Sequence, residues 1–87
     1  MKHARKDYNR IQDPNKKIPE DMPVFLLLAK DHFAARTVEY YARQILADPR
    51  SSLETVDVGR RVLSWARQME EYGRKKGTKY PDMPEDV

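Results

Sequence analysis

Apolar residues recur at three- and four-residue spacing along two stretches of this 87-residue chain, with Asp48-Pro49 between them. This spacing places the apolar side chains on one face of an α-helix. The stretches contain Ala34, Val38, Tyr41, Ala42, Ile45 and Leu46, then Leu53, Val56, Val62, Leu63, Ala66 and Met69. Because a residue before proline disfavours helix, Asp48-Pro49 ends the first one. The pattern therefore predicts a helical hairpin.

Capping residues set the expected limits of the two helices. Asp31 can cap the first one, and Ser51-Ser52 offers an N-cap for the second. Gly59, inside the second helix, predicts close packing against a neighbour. That helix is expected to run to about Tyr72, with Gly73 as its C-terminal cap.

The run Val24–Ala29 is apolar throughout, and periodicity cannot separate helix from strand over so few residues. Three leucines and an alanine after Pro23 favour a short helix. A strand remains the alternative, and it would need its partner from another chain. The predicted fold class is therefore all-α: a short helix followed by a helical hairpin, assembled as a homo-oligomer, with flexible termini.

Charge is unevenly distributed along the chain. Residues 1–17 carry a net charge of +4, residues 18–73 carry −2 and residues 74–87 carry +1. This division predicts a flexible basic arm, a helical domain and an extended tail over those three ranges. The acidic balance of the body disfavours nucleic acid as a partner, so weak DNA binding is the third-ranked function.

Composition and motifs argue against catalysis. The chain has no cysteine, and His3 and His32 lie far apart, so neither a metal site nor thiol chemistry is expected. No nucleophile elbow, phosphate-binding glycine loop or zinc-protease helix is present. We expect a protein that is not an enzyme, with no catalytic residues and no cofactor.

The first 17 residues are polar and the longest apolar run has six residues. Neither a secretory signal nor a membrane span is therefore expected, which predicts a cytoplasmic protein.

The first helix of the hairpin carries cations interleaved with an aromatic ring. His32, Arg36, Tyr40 and Arg43 follow one another at spacings of four, four and three, and so lie along one face. Arginine pairs with phosphate and tyrosine stacks on a base, which suits a nucleotide. The competing interpretation is an exposed helix face with an ordinary Glu39–Arg43 pair.

Further cations could complete a pocket between subunits. The second helix of the hairpin carries Arg60, Ser64 and Arg67 as a parallel stripe beside Trp65. Lys30 and His32 lie at the junction before the first helix, where free backbone N–H groups suit an anion. The predicted ligand-binding residues are Arg36, Tyr40 and Arg43 first, then Arg60, Arg67, Lys30 and His32.

The stretch Ile18–Asp31 has the form I-P-x-D-x-P-V-F-x-L-x-A-x-D, and Ala34-Ala35 and a later Ala66-x-x-Met69-Glu70 follow it. Over residues 18–71 the chain resembles a group of small phage and prophage proteins. It departs from them at Leu28, where a basic residue is expected, and at Tyr40-Tyr41, where tryptophan is expected. The resemblance implies a viral accessory protein acting in the cytoplasm of the host cell.

Small oligomeric phage proteins without catalytic equipment are known that sequester nucleotide immune signals, and this chain is similar to them in size and composition. The leading hypothesis is therefore an anti-defence protein that binds a cyclic nucleotide or a cyclic ADP-ribose derivative without turnover. The alternative is a helical adaptor or inhibitor that binds a host protein.

Overall fold

The computed structural model describes residues 1–4 and 12–82, and over this part of the chain the protein is predominantly helical. Its elements are strands β1 (Lys2–His3) and β2 (Pro23–Val24) and helices α1 (Ala34–Ala47) and α2 (Leu53–Lys76). The described residues form two compact units, one from residues 1–4, 12–27 and 82 and the other from residues 28–81.

The predicted short helix over Val24–Ala29 is wrong. Pro23–Val24 instead pairs in parallel with Lys2–His3, and the amide of Lys2 donates to the carbonyl of Met22 at 2.7 Å. The strand partner comes from the same chain, about twenty residues earlier, rather than from a second one. Such non-local pairing leaves no periodic signal in a two-residue strand, and Pro23, which has no amide hydrogen, fits a strand at a sheet edge.

The predicted basic arm is partly ordered by backbone and side-chain hydrogen bonds. Besides the β1 pairing, the Asp13 carboxylate accepts the amides of Lys17 at 3.0 Å and Ile18 at 2.8 Å. A turn lies at Pro14-Asn15, after which Lys16 has a positive φ of 51°. Residues 5–11 of the arm lie outside the described residues.

Helix α1 ends where its sequence predicts, but it begins at Ala34, two residues later than the predicted Asp31 cap would place it. The carboxylate of Asp31 accepts the amide of Phe33 at 2.8 Å, which holds the turn before the helix, while Phe33 itself occupies the N-cap position. The helix ends at Ala47, and the amide of Asp48 donates to Gln44 O at 3.1 Å.

The turn between the helices is held by its own side chains. Arg50 donates to the Asp48 carboxylate from Nε at 3.2 Å and from Nη2 at 3.1 Å. These side-chain hydrogen bonds, with that of the Arg50 amide, lower the pKa of Asp48. Ser52 is the N-cap of α2 and accepts the amide of Thr55 at 3.1 Å, which confirms the predicted cap.

Helix α2 continues past its predicted end at Tyr72. The cap is Gly77 rather than Gly73, and the Gly77 amide donates to Gly73 O at 2.8 Å. Gly77 has φ 84° and ψ 155°, a conformation that is essentially restricted to glycine.

Two ion pairs span the position where the helix was expected to stop. Arg74 Nη2 lies 3.1 Å from Glu70 Oε1, and Lys75 Nζ lies 3.6 Å from Glu71 Oε1. Pairs at i,i+4 stabilise a helix, and cations in the last turn favour its carboxyl end. The basic run therefore extends α2 to Lys76, so the tail predicted from residue 74 begins three residues later.

Small residues bring the two helices together. A Cβ on Gly59 would lie 2.8 Å from Ile45 Cγ2, which confirms the predicted close packing. The buried apolar side chains of the described residues are Ala34, Ala42, Ala66 and Met69, and no large side chain among them is fully buried. The hairpin core is therefore very small for its length.

Neither helix in the described ranges is long and apolar enough to cross a membrane.

Candidate functional site

A groove of about 340 Å³ lies between the first half of α1 and the last turns of α2. Its lining is mainly small or polar, and Ala29, Ala35 and Gly73 leave the space open. At Gly73 a Cβ would come 2.7 Å from Thr78 Cγ2, so glycine lets residue 78 approach the helix. Charged and titratable side chains surround the opening: Asp31, His32, Arg36, Glu39, Glu70 and Arg74.

Glu39 joins the two helices along this groove. It accepts a hydrogen bond from Arg67 of α2 and lies 3.4 Å from Arg43 Nε in its own helix. Arg67 also lies 3.7 Å from Glu70. The Glu39–Arg67 pair spans 28 residues and is the ionic link across the hairpin.

These contacts belong to a longer network along one side of the hairpin, which we call the charged flank. Its side chains are Arg43, Glu39, Arg67, Glu70, Arg74, Glu71 and Lys75. With four basic and three acidic members, the network carries a net charge of +1. All its members are at least partly exposed, so each pair contributes little to stability, about 0.2–1 kcal/mol.

Arg36 lies in the groove but outside this network. Its guanidinium carbon is 5.6 Å from the centre of the Phe33 ring, and Nη2 is 3.5 Å from His32 Nε2. Within the described residues Arg36 forms no ion pair with a carboxylate. Its positive charge is therefore uncompensated at short range.

The His32 ring contacts a residue on each side: Nε2 lies 3.5 Å from Arg36 Nη2 and Nδ1 lies 3.2 Å from Thr78 Oγ1. The imidazole thus links α1 to the segment that follows α2.

Three aromatic rings form a cluster beside Arg36. The His32 ring centre lies 4.7 Å from that of Tyr80 and 5.2 Å from that of Phe33, and the Phe33 and Tyr80 centres are 5.5 Å apart. These separations are typical of interacting aromatic pairs.

Backbone pairing brings Tyr80 to this position. The amide of His32 donates to Lys79 O, and the amide of Lys79 donates to Lys30 O, both at 2.8 Å. The positive φ of Gly77 turns the chain out of α2, and the pairing then holds the following residues beside the start of α1.

The structure brings four of the seven predicted ligand-binding residues to one side of the hairpin. His32 and Arg36 line the groove, and Arg43 and Arg67 meet at Glu39. This contact forms within one chain, whereas the sequence suggested that the two stripes would face each other across a subunit junction.

The other three predicted residues lie outside the groove lining. Tyr40 is 67% exposed, and the rings beside Arg36 are those of Phe33 and Tyr80 instead. Arg60 and Lys30 are exposed, with no ion pair in the described part of the chain. The Asp31 carboxylate already accepts a hydrogen bond from the Phe33 amide, which is one of the backbone donors predicted to bind an anion.

Sequence reasoning missed Thr78, which lines the groove, and Tyr80, which packs against His32 and Phe33. Tyr80 and Thr78 reach the site through backbone pairing, for which the sequence gives no periodic signal. Arg74 stands in the basic run that was expected to follow the helix, so its alignment with Glu70 was not foreseen.

No group of three or more His, Asp or Glu side chains that could hold a metal ion occurs within residues 1–4 and 12–82. Comparisons with protein-family models, with curated proteins and with solved structures find no match to this chain.

Proposed function

We propose that this protein binds a small phosphorylated nucleotide in the groove between α1 and α2 and holds it without turnover. The observation that carries the proposal is the position of Arg36. Its guanidinium lines the groove without a carboxylate partner in the described residues, and it lies 5.6 Å from the Phe33 ring, which clusters with His32 and Tyr80. A cation beside aromatic rings is the combination that a phosphate attached to a base requires.

The groove lining carries three carboxylates and two guanidiniums, so an anion would be held by Arg36 locally and not by the charge of the groove as a whole. Arg43, Arg67 and Arg74 share Glu39 and Glu70 between them. Since these carboxylates are engaged by arginines on both helices, they do not neutralise Arg36. The planar fork of arginine matches the oxygens of a phosphate, which makes Arg36 the expected first contact.

The neighbouring groups suit the remainder of a nucleotide. Tyr80 is largely exposed, so a face of its ring is accessible for stacking on a base. The Thr78 hydroxyl borders the same groove and can donate to a phosphate or a ribose. The volume of about 340 Å³ lies at the lower end of the range for small-molecule sites, about 300–1,000 Å³.

The biological setting that we propose follows from the resemblance to small phage proteins. A protein that holds a cyclic nucleotide or a cyclic ADP-ribose derivative would lower the free concentration of a host immune signal. Such a role requires affinity and abundance, and no bond in the ligand needs to break.

Titration calorimetry with two signal-like probes tests the proposal. Cyclic di-AMP and ADP-ribose should bind the full-length chain, whereas adenosine, which has no phosphate, should bind at least tenfold more weakly. Mass spectrometry of the probe released on denaturation should return it unchanged. Equal binding of adenosine, or hydrolysis of the probe, would contradict the proposal.

Arg36→Ala and Arg60→Ala form a matched pair for this titration. Both arginines are exposed helix residues without an ion pair in the described chain, but only Arg36 lines the groove. Losing a charge-assisted hydrogen bond worth about 1.5–3 kcal/mol should weaken binding by about 10- to 100-fold for Arg36→Ala. Arg60→Ala should leave the affinity and the helical circular dichroism unchanged.

The alternative hypothesis, an adaptor that binds a host protein, makes the opposite prediction in the same titration. An adaptor would bind neither probe, and both arginine variants would behave like the unmodified chain.

A further inference from the structure

A stripe of large apolar side chains runs along α2, away from the charged flank. It consists of Val58, Trp65 and Tyr72, which are 44%, 60% and 48% exposed. We call it the aromatic stripe. Side chains seven residues apart on a helix differ in direction by only about 20°, so the three point the same way over a length of about 21 Å. Trp65 and Arg67 are two residues apart, which directs them to roughly opposite sides of α2.

Two unpaired charges stand at the ends of this stripe. Glu54 lies eleven residues before Trp65 and Lys76 lies eleven residues after it, and eleven residues bring a helix back to nearly the same direction. Neither forms an ion pair within the described residues. The stripe is therefore symmetric in spacing about Trp65 and opposite in charge at its two ends.

We infer that the aromatic stripe binds a second copy of this chain, with the two α2 helices antiparallel and Trp65 against its counterpart. A two-fold interface places the same surface patch on both partners. In this register Val58 of one chain faces Tyr72 of the other, and Glu54 of each chain faces Lys76 of the other. The inference rests on the opposite face of α2 from Arg67, so it does not depend on the proposed function.

The charges select the antiparallel orientation. A parallel pair would place Glu54 against Glu54 and Lys76 against Lys76, and like charges at close range oppose association. The antiparallel pair brings opposite charges together at both ends.

The small core favours a second copy over an occasional partner. The buried apolar side chains of the described hairpin are three alanines and Met69. Chains of this size often need oligomerisation to bury enough apolar surface, and tryptophan and tyrosine are enriched among the residues that dominate interfaces. A second copy that stays bound keeps the aromatic stripe buried in the native state. A partner that binds only transiently leaves the stripe exposed for the rest of the time.

Sedimentation equilibrium and tryptophan fluorescence of the full-length chain test the inference together. The expected mass is twice the chain's 10.3 kDa. Trp65 is the only tryptophan, so its emission should shift to longer wavelength as dilution separates the chains. A monomer at high micromolar concentration would overturn the inference.

Trp65→Ala should weaken self-association by at least about 30-fold, the usual effect of a central interface residue. Tyr40→Ala is the matched control, because it removes an exposed aromatic ring from α1 and lies off the stripe. A dimer that survives Trp65→Ala unchanged, or that Tyr40→Ala disrupts equally, would assign the interface to another surface and overturn the inference.

Cysteine cross-linking determines the orientation, since the chain has no cysteine of its own. Chains carrying Glu54→Cys and chains carrying Lys76→Cys are mixed and treated with a short bismaleimide. The antiparallel register predicts cross-links between the two kinds of chain only, because like positions lie about 33 Å apart along the helix. Cross-links within one kind would overturn the register.

A charge exchange provides a second test, in which circular dichroism is recorded with association because each change also reverses a charge that favours its end of α2. Glu54→Lys and Lys76→Glu, each alone, should weaken association by about three- to tenfold, since each creates two like-charge contacts. The double variant should restore association to within about twofold. Failure of the double variant to restore it would contradict the pairing.

Discussion

The charged flank and the aromatic stripe lie on nearly opposite sides of α2. A single chain can pair the charges of the flank, but it cannot bury the rings of the stripe. Along the charged flank, long side chains reach three or four residues along a helix or across to the neighbouring helix, so Glu39, Glu70 and Glu71 are all paired. Along the stripe, Trp65 and Tyr72 stay about half exposed. A two-helix hairpin can thus pair the carboxylates of this flank, but a second surface is needed to cover the aromatic rings of the stripe.

Met69 belongs to neither surface, because it is buried between the helices, where it also lines the groove. Met69→Ala should lower the free energy of unfolding by about 2–4 kcal/mol through lost burial and a residual cavity. Urea denaturation followed by circular dichroism, at fixed protein concentration, measures the change. Met69→Leu keeps the volume and should cost less than about 1.5 kcal/mol. Equal effects of the two would show that this position is not packed as described.

Glu39 belongs to the charged flank and also lines the groove, so its replacement should change stability and binding in opposite directions. Glu39→Gln removes the carboxylate shared by Arg43 and Arg67 and should cost about 0.5–1 kcal/mol of unfolding free energy. It also leaves more positive charge beside Arg36, which should raise the affinity for cyclic di-AMP severalfold.

Asp57→Asn is the control for Glu39→Gln, because it removes another exposed i,i+4 pair, with Arg61, away from the groove. It should leave the affinity for cyclic di-AMP unchanged. A fall in affinity after Glu39→Gln would contradict an anionic ligand in this groove.

Asp48 lies in the turn between the helices, and replacing it should change the free energy of unfolding less than the other substitutions do. Arg50 lowers the pKa of Asp48, so the ionised carboxylate stabilises the folded chain above the pKa of the unfolded state. This contribution is lost as the pH falls through the lower folded-state pKa. Stability differences between the unmodified chain and Asp48→Asn should therefore be present at about pH 5 and vanish towards pH 2.

An NMR titration of the Asp48 carboxyl measures the same effect directly. Arg50→Ala should raise its midpoint towards the ordinary value for an aspartate, because the side-chain donors are removed. An unchanged midpoint would mean that Arg50 is not the cause.

Local signals predicted the hairpin well. Asp48-Pro49 gave the end of α1, Ser52 gave the start of α2, and Gly59 marked the close approach of the helices. The pairing of β1 with β2 could not be predicted, because it joins residues about twenty positions apart over two residues each. The end of α2 was missed because Gly73 resembles a cap, although the ion pairs beyond it continue the helix.

The sequence predicted the candidate site only where its residues are neighbours along one stretch of chain, at the start of α1. The spacing along α1 aligned His32 with Arg36, and these residues do lie together. Contacts that join distant parts of the chain, such as Glu39 with Arg67 and His32 with Tyr80, depend on the hairpin geometry and on the turn at Gly77. Whether these residues bind a nucleotide stays a prediction.

Sedimentation velocity with a fluorescent cyclic di-AMP tests the separation of the two surfaces in one run, because it reports the mass of the protein and the co-migration of the nucleotide together. The account predicts that Arg36→Ala sediments as a dimer without nucleotide, and that Trp65→Ala sediments as a monomer that still carries it. If either variant lost both properties while remaining folded, or if the unmodified chain carried no nucleotide, the account would be contradicted.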